Sequence, residues 1–332
     1  MSKQALDVSS TRKAGEQGKP RFPQNAPVRY ALLFAALGGI SLLAGFETAR
    51  KTIAEPAAAR MQPPIHEQST SLARMAAPEK DAETEMSRLA PQEQAERLLE
   101  RAVDNDERSL NLLRDRVNGW RGKLKSTDRL FDLVLAALNS HDLRVRTVAV
   151  DLDLTANNLS KTPESVSRLL GELRREPEAR SMALWRLGSL GNRGVQPERV
   201  LETLLKYAHD PNEHTRYWAV EGLAMLGNDA ALDPLLERLA HDPSPRVRER
   251  AASSLGQSGM LTREERLAAV PDLLNLADDD SLSKTTRELV YGTLRVITGA
   301  ALGNDANAWR SWWANHDPAQ EKSKKRGDLL QA

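Results

Sequence analysis

An arginine that recurs every 32 to 39 residues, each time trailed by the same pattern of small and apolar side chains, constrains this chain more than any other feature. After Arg180 come Ala183, Leu184, Leu187 and Leu190 at +3, +4, +7 and +10, with Gly188 and Gly191 at +8 and +11. Arg216 is followed by Ala219, Val220, Leu223, Ala224, Leu226 and Gly227, and Arg248 by Ala251, Ala252, Leu255, Gly256 and Gly259. Weaker copies open at Arg146 (Ala149, Val150, then Leu154 one place late) and at Arg287 (Val290, Tyr291, Leu294, Ile297). Such offsets place the apolar side chains on one stripe of a helix, and the closing glycine predicts a left-handed cap. A second amphipathic helix precedes each, for example over 201–208 and 232–240, joined by the turns His209-Asp210-Pro211-Asn212 and His241-Asp242-Pro243-Ser244-Pro245. A lone hairpin of this kind cannot bury its apolar faces, so the hairpins must stack.

The Asp-Pro turn, the arginine opening the second helix, and the Ala-Ala and Leu-Gly pairs resemble the HEAT repeat family. The resemblance is strongest from Asp210 to Gly227 and from Asp242 to Gly259, and covers about 130–300. It implies an all-α, HEAT/armadillo-like α-solenoid, a right-handed superhelix of helical hairpins, expected here over 92–316. The ending, Ile297-Thr298-Gly299 and then Trp309-Arg-Ser-Trp312-Trp313, resembles the terminal helix of bacterial HEAT repeat proteins of unassigned role. The family implies binding of a protein or peptide on a curved surface, and seldom chemistry. Related repeats do occur in enzymes, a metal-dependent hydroxylase and bilin lyases among them, and a HEAT-like enzyme is the alternative reading.

Residues 30–46 (YALLFAALGGISLLAGF) are 17 consecutive residues without a charge. As a helix they would span roughly 26 Å, slightly under a bilayer's hydrocarbon core, and Arg29 and Arg50 can snorkel across the shortfall. Six basic residues against two acidic ones precede this run. The imbalance predicts a single-pass signal anchor in a bacterial inner membrane, with the amino terminus cytoplasmic and the carboxy-terminal domain periplasmic or otherwise extracytoplasmic. A cleavable signal peptide is the rival reading, but the nearest small-residue site, Ala57-Ala58-Ala59, lies well past the apolar run. The expected order is a basic cytoplasmic tail (1–29), the transmembrane helix (30–46), a Pro-rich flexible linker (47–91), the solenoid (92–316) and a disordered basic tail (317–332).

Net charge is +1, which supplies no global attraction for nucleic acid, and zero cysteine excludes disulfides, thiolate metal sites and a cysteine nucleophile. His141, His209 and His241 each precede a turn aspartate, but the Arg180 repeat has Glu176-Pro177 and no histidine, so no metal ladder is expected. No catalytic residue, metal or other cofactor is expected. Arg180, Asp210, Arg216, Asp242 and Arg248 are expected to form a structural ladder, each arginine bridging its own and the adjacent turn, while each aspartate caps the helix that follows it. Trp309, Trp312 and Trp313, at offsets 0, 3 and 4, form one helical face expected to close the end of the stack. Met182, Trp185, Tyr217, Trp218, Glu221 and Met225 lie on second helices, the concave side in this family, and form the candidate protein-binding strip. Register taken from the arginines would place Trp185 beside Glu221 and Met182 beside Trp218.

Overall fold

The computed structural model describes residues 85–174 and 177–316. The expected cytoplasmic tail, transmembrane helix, most of the linker, and the basic tail after 316 lie outside the described residues. Within them the chain is helical and contains no strand, and no helix is long and apolar enough to cross a membrane.

The helices pair in chain order. α1 (Pro91–Val103) packs on α2 (Glu107–Arg116), and α3 (Asp128–Leu138) on α4 (Leu143–Ala156). The next hairpins are α5 (Pro163–Glu172) with α6 (Pro177–Asn192), α7 (Pro197–Ala208) with α8 (Glu213–Leu226), and α9 (Leu232–His241) with α10 (Pro245–Gly256). The last unit sets α11 (Arg263–Ala268) and α12 (Val270–Asp278) against α13 (Lys284–Thr298), and α14 (Ala306–His316) packs on α12.

Local chemistry fixes where these helices begin. Proline occupies the first turn of α1, α5, α7, α10 and α12, where a missing N–H costs nothing. The expected aspartate caps are not what the turns use. Asp210 and Asp242 accept from the amides two residues on, Asn212 (2.8 Å) and Ser244 (2.9 Å), and so tie the turn itself. The caps are those next residues: Asn212 accepts from the Thr215 amide and Ser244 from the Val247 amide. An Asx turn followed by a cap satisfies more free amides than one carboxylate can.

The stack is tightest between α6 and α8. A Cβ built on Gly188 would lie 2.0 Å from the Gly222 carbonyl oxygen, and one on Gly222 would lie 2.7 Å from the Leu184 carbonyl oxygen. Gly191, expected as the cap, and Gly188 are both interior helix positions; Gly188 is there to let backbones touch. The cap of α6 is Gly194, at φ +78, with the Val195 amide donating back to the Leu190 carbonyl. Gly227, at φ 52, does end α8 as the arginine pattern predicts.

The Gly188–Gly222 contact sets a register of 34 residues, and its neighbours agree. Ser181 meets His214 at 2.8 Å, and the Asn192 amide donates to the Leu226 carbonyl at 3.0 Å. Alignment on arginines gives 36 for the same pair, so the expected side-by-side placement of Trp185 with Glu221 and Met182 with Trp218 is off by about two residues. Register follows the smallest side chains at the contact, because they set how close the helices come.

Gly188→Ala should accordingly cost more than ordinary overpacking, at or above ~3 kcal/mol, because the atom it strikes is backbone. Gly303→Ala, with nothing within 4 Å of the added carbon, is the matched control and should be close to neutral. Urea unfolding of the two variants checks this; equal midpoints would show that the α6–α8 contact yields freely.

Candidate interaction surface

The second helices α6 and α8 carry the residues expected to form a binding strip. Five of the six are interior: Trp185 and Trp218 are each 1% exposed, Glu221 1%, Met225 2% and Tyr217 3%, and only Met182 is half-buried. The whole run from Thr215 to Leu226 is buried, so α8 has no open face. The strip is therefore core where an accessible surface was expected. The reason lies in the pattern: α8 carries apolar or small residues round most of its circumference, and its two buried charges, Arg216 and Glu221, are paired with groups of neighbouring elements.

Charge is buried there too. Glu221 Oε1 lies 2.7 Å from Arg250 Nε on α10. Burial pushes the Glu221 carboxyl above its ordinary range, with the Arg250 charge pulling the other way. Burial likewise raises the Tyr217 hydroxyl, helped by the Glu221 charge, while the Arg246 guanidinium sits 4.6 Å over the Tyr217 ring. Tyr217 also meets Trp218 edge-on at 5.9 Å, and His214 meets the same indole at 6.2 Å. Such an arrangement locks α8 against α10 and offers no proton-transfer geometry to an outside molecule.

The arginines behave individually. Arg216 reaches both neighbours: its Nε and Nη2 hold the Asp242 carboxylate at 2.9 and 3.0 Å, and its Nη1 donates to the Asp210 and Pro211 carbonyls of its own turn. Arg248 donates to the Asp242 and Pro243 carbonyls, and Arg180 contacts Asp210 at 3.5 Å. Arg238, a residue that the repeat pattern does not single out, adds a second guanidinium to Asp242 at 3.4 Å and donates to the Ala208 carbonyl. Its partial signal in the sequence is position alone, four residues before the turn aspartate.

The turn histidines stay apart from any such centre. His209 is exposed, bonded to the Leu205 carbonyl and lying 3.3 Å from Glu237, and His141 and His241 are exposed. Among the described residues no group of His, Asp and Glu is arranged to hold a metal ion.

At the far end Trp309 is fully buried and donates from its indole to the Gly303 carbonyl at 2.8 Å. Trp312 stacks on His316 at 4.3 Å and, like Trp313, is only half-buried. Arg310 pairs with Asp278 on α12. Of the three tryptophans, Trp309 is the anchor, and Trp312 meets it edge-on at 6.0 Å.

Two measurements separate these contacts. Asp242→Ala leaves Arg216 and Arg238 buried without their carboxylate and should cost ~3–5 kcal/mol, whereas Asp210→Ala loses one longer pair and the Asn212 amide bond and should cost less, ~1–2 kcal/mol. Equal losses in chemical denaturation would mean that the turns do not depend on Asp242. The second concerns pH. A carboxyl whose proton affinity is raised on folding contributes stability that is complete below its unfolded value and lost as pH climbs through the folded one. For Glu221, whose ordinary value is 4.5, Glu221→Gln should therefore become progressively less harmful relative to wild type as pH rises from 4.5. Urea titrations across that range check the slope, and the opposite slope would show that Arg250 outweighs burial.

A family model described as HEAT repeats matches residues 166–256, which run from within α5 to the end of α10. No curated protein matches the chain.

Proposed function

We propose, from the premise that residues 166–256 belong to the HEAT repeat family, that the chain is a non-enzymatic scaffold that holds a protein or peptide partner at the outer side of a bacterial inner membrane. The stacked hairpins α5–α10 carry this reading. Their conspicuous charged and aromatic residues are used up in holding one repeat to the next. With Trp185 and Trp218 interior, the partner is read by the edges of the array: the turn ridge around His209 and Glu237, and the outer face of α7 with Glu202 and Lys206, all exposed. Tethering rests on the charge-free run 30–46 and the six-to-two excess of basic residues before it.

Paired variants test the surface. Trp185→Ala and Trp218→Ala should lower the melting temperature, at ~3–5 kcal/mol each, yet leave capture of the membrane partner intact at a temperature where both stay folded. Lys206→Glu combined with Glu237→Lys should do the reverse. Loss of capture from the folded tryptophan variants would return the site to the second helices. Topology has its own readout: a reporter fused after residue 60 should be active only in a form that works outside the cytoplasm, and the protein should resist carbonate extraction. A cytoplasm-active reporter on extractable protein would remove the anchor. Stoichiometric metal in the purified chain would favour the enzymatic alternative.

A further inference from the structure

Five arginines are buried among the described residues: Arg146, Arg216, Arg238, Arg250 and Arg266. Burial of a guanidinium is tolerated where a carboxylate answers its charge. Asp242 does so for Arg216 and Arg238, and Glu221 for Arg250. Arg146 and Arg266, each 7% exposed, form no ion pair among the described residues and bond only to carbonyls.

Both converge on one place. Arg146 of α4 donates from Nη1 to the Gly259 carbonyl at 2.6 Å and the Gln257 carbonyl at 3.4 Å. Arg266 of α11 donates from Nη1 to the Ser254 and Leu255 carbonyls at 2.8 and 2.6 Å, and from Nη2 to the Ser258 carbonyl at 2.9 Å. These acceptors are the end of α10 and the loop that follows it. Carbonyls satisfy the N–H groups but not the charge, since the carboxy-terminal end of a helix carries roughly half a negative charge against two cations here. The nearby carboxylates are engaged elsewhere. Glu221 lies 2.7 Å from Arg250 Nε, Glu265 accepts from the Thr262 amide at 2.6 Å, and Arg144 holds Asp142 at 2.7 Å. Burial pushes the Arg266 guanidinium down to about 9, and the Arg146 charge acts in the same direction.

Arg216 shows what completes such a group. It also gives Nη1 to two carbonyls of a turn, each at 3.1 Å, while its Nε–Nη2 edge holds both oxygens of Asp242. Arg146 stands at the same place in its own helix, four residues after the N-cap, and repeats the first half of that pattern. Its Nε is enclosed and has no hydrogen-bond partner among the described residues. We propose that Arg146 and Arg266, meeting at the end of α10, form a binding site for one carboxylate, which takes the Nε–Nη2 edge of Arg146 and neutralises the pair. A small organic acid and an acidic side chain of a bound protein present the same two oxygens to that planar edge. This inference does not depend on which partner the repeats hold.

The full chain, with arginine carrying the NMR-active nitrogen isotope, reports each Nε–Hε group separately. Acetate is the probe for a free acid, and a short peptide, blocked at both ends and bearing one glutamate, is the probe for a side chain. Each is titrated against sodium chloride at equal ionic strength. The Arg146 resonance should shift and saturate with a carboxylate and not with chloride, while that of Arg216, already on Asp242, should stay in place. Half-saturation by the peptide at about tenfold lower concentration than acetate would assign the carboxylate to a protein, and the reverse order would assign it to a small acid. Arg146→Lys keeps the charge, loses the planar fork, and should abolish the saturable response. It also identifies the resonance by its disappearance; should that variant fail to fold, through-bond assignment of the wild-type chain identifies it instead. An Arg146 resonance that neither carboxylate moves, or that chloride moves as far, would overturn the site.

Discussion

The approach of α6 to α8 at Gly188 and Gly222 is the constraint from which most of the molecule follows. Two backbones can come this close only where neither helix carries a side chain, and here each glycine faces the other's main chain. One hairpin further on, Arg216 of α8 meets Asp242 in the turn between α9 and α10 with both forks of its guanidinium. The same proximity encloses Trp185 and Trp218 between the helices, where large rings fill what the missing side chains would leave empty. A looser stack would leave those rings on a surface and the arginine in solvent.

That coupling explains which residues could be read in advance. The hairpins, the proline-opened helices and the arginine–turn bridges were legible because each depends on residues close in sequence or on a repeat that copies itself. Asn212 and Ser244 as caps were legible in kind and misplaced by two residues, since Asp, Asn and Ser all satisfy the same amides. Burial of the second-helix aromatics was harder. A tryptophan on a second helix looks the same whether a neighbouring helix or a ligand covers it, and the deciding residue, Gly188 or Gly222, sits three or four positions away.

Arg146 shows the limit more sharply. Its local sequence, Val145-Arg146 followed by Ala149 and Val150, opens as the other repeats do, although Leu154 then falls one place late. A helix-opening arginine needs acceptors, and a turn carboxylate in the next repeat and the open end of a distant helix serve equally. The HEAT match begins at 166, after α4, whose bonds to α6 and the residue following it span 33 to 46 residues instead of keeping the 34 of α6 with α8.

The two kinds of contact also differ in how they fail. Within the array, apolar area and backbone proximity hold one repeat to the next, and such contacts weaken only when the helices themselves separate. Between α4 and α6, apolar side chains such as Ala149 and Val150 are buried as well, but Arg186 and Arg193 add bonds carried at the tips of long side chains, which can rehydrate one at a time. Arg193 illustrates this: one guanidinium binds Asp151 and the Thr147 carbonyl at once.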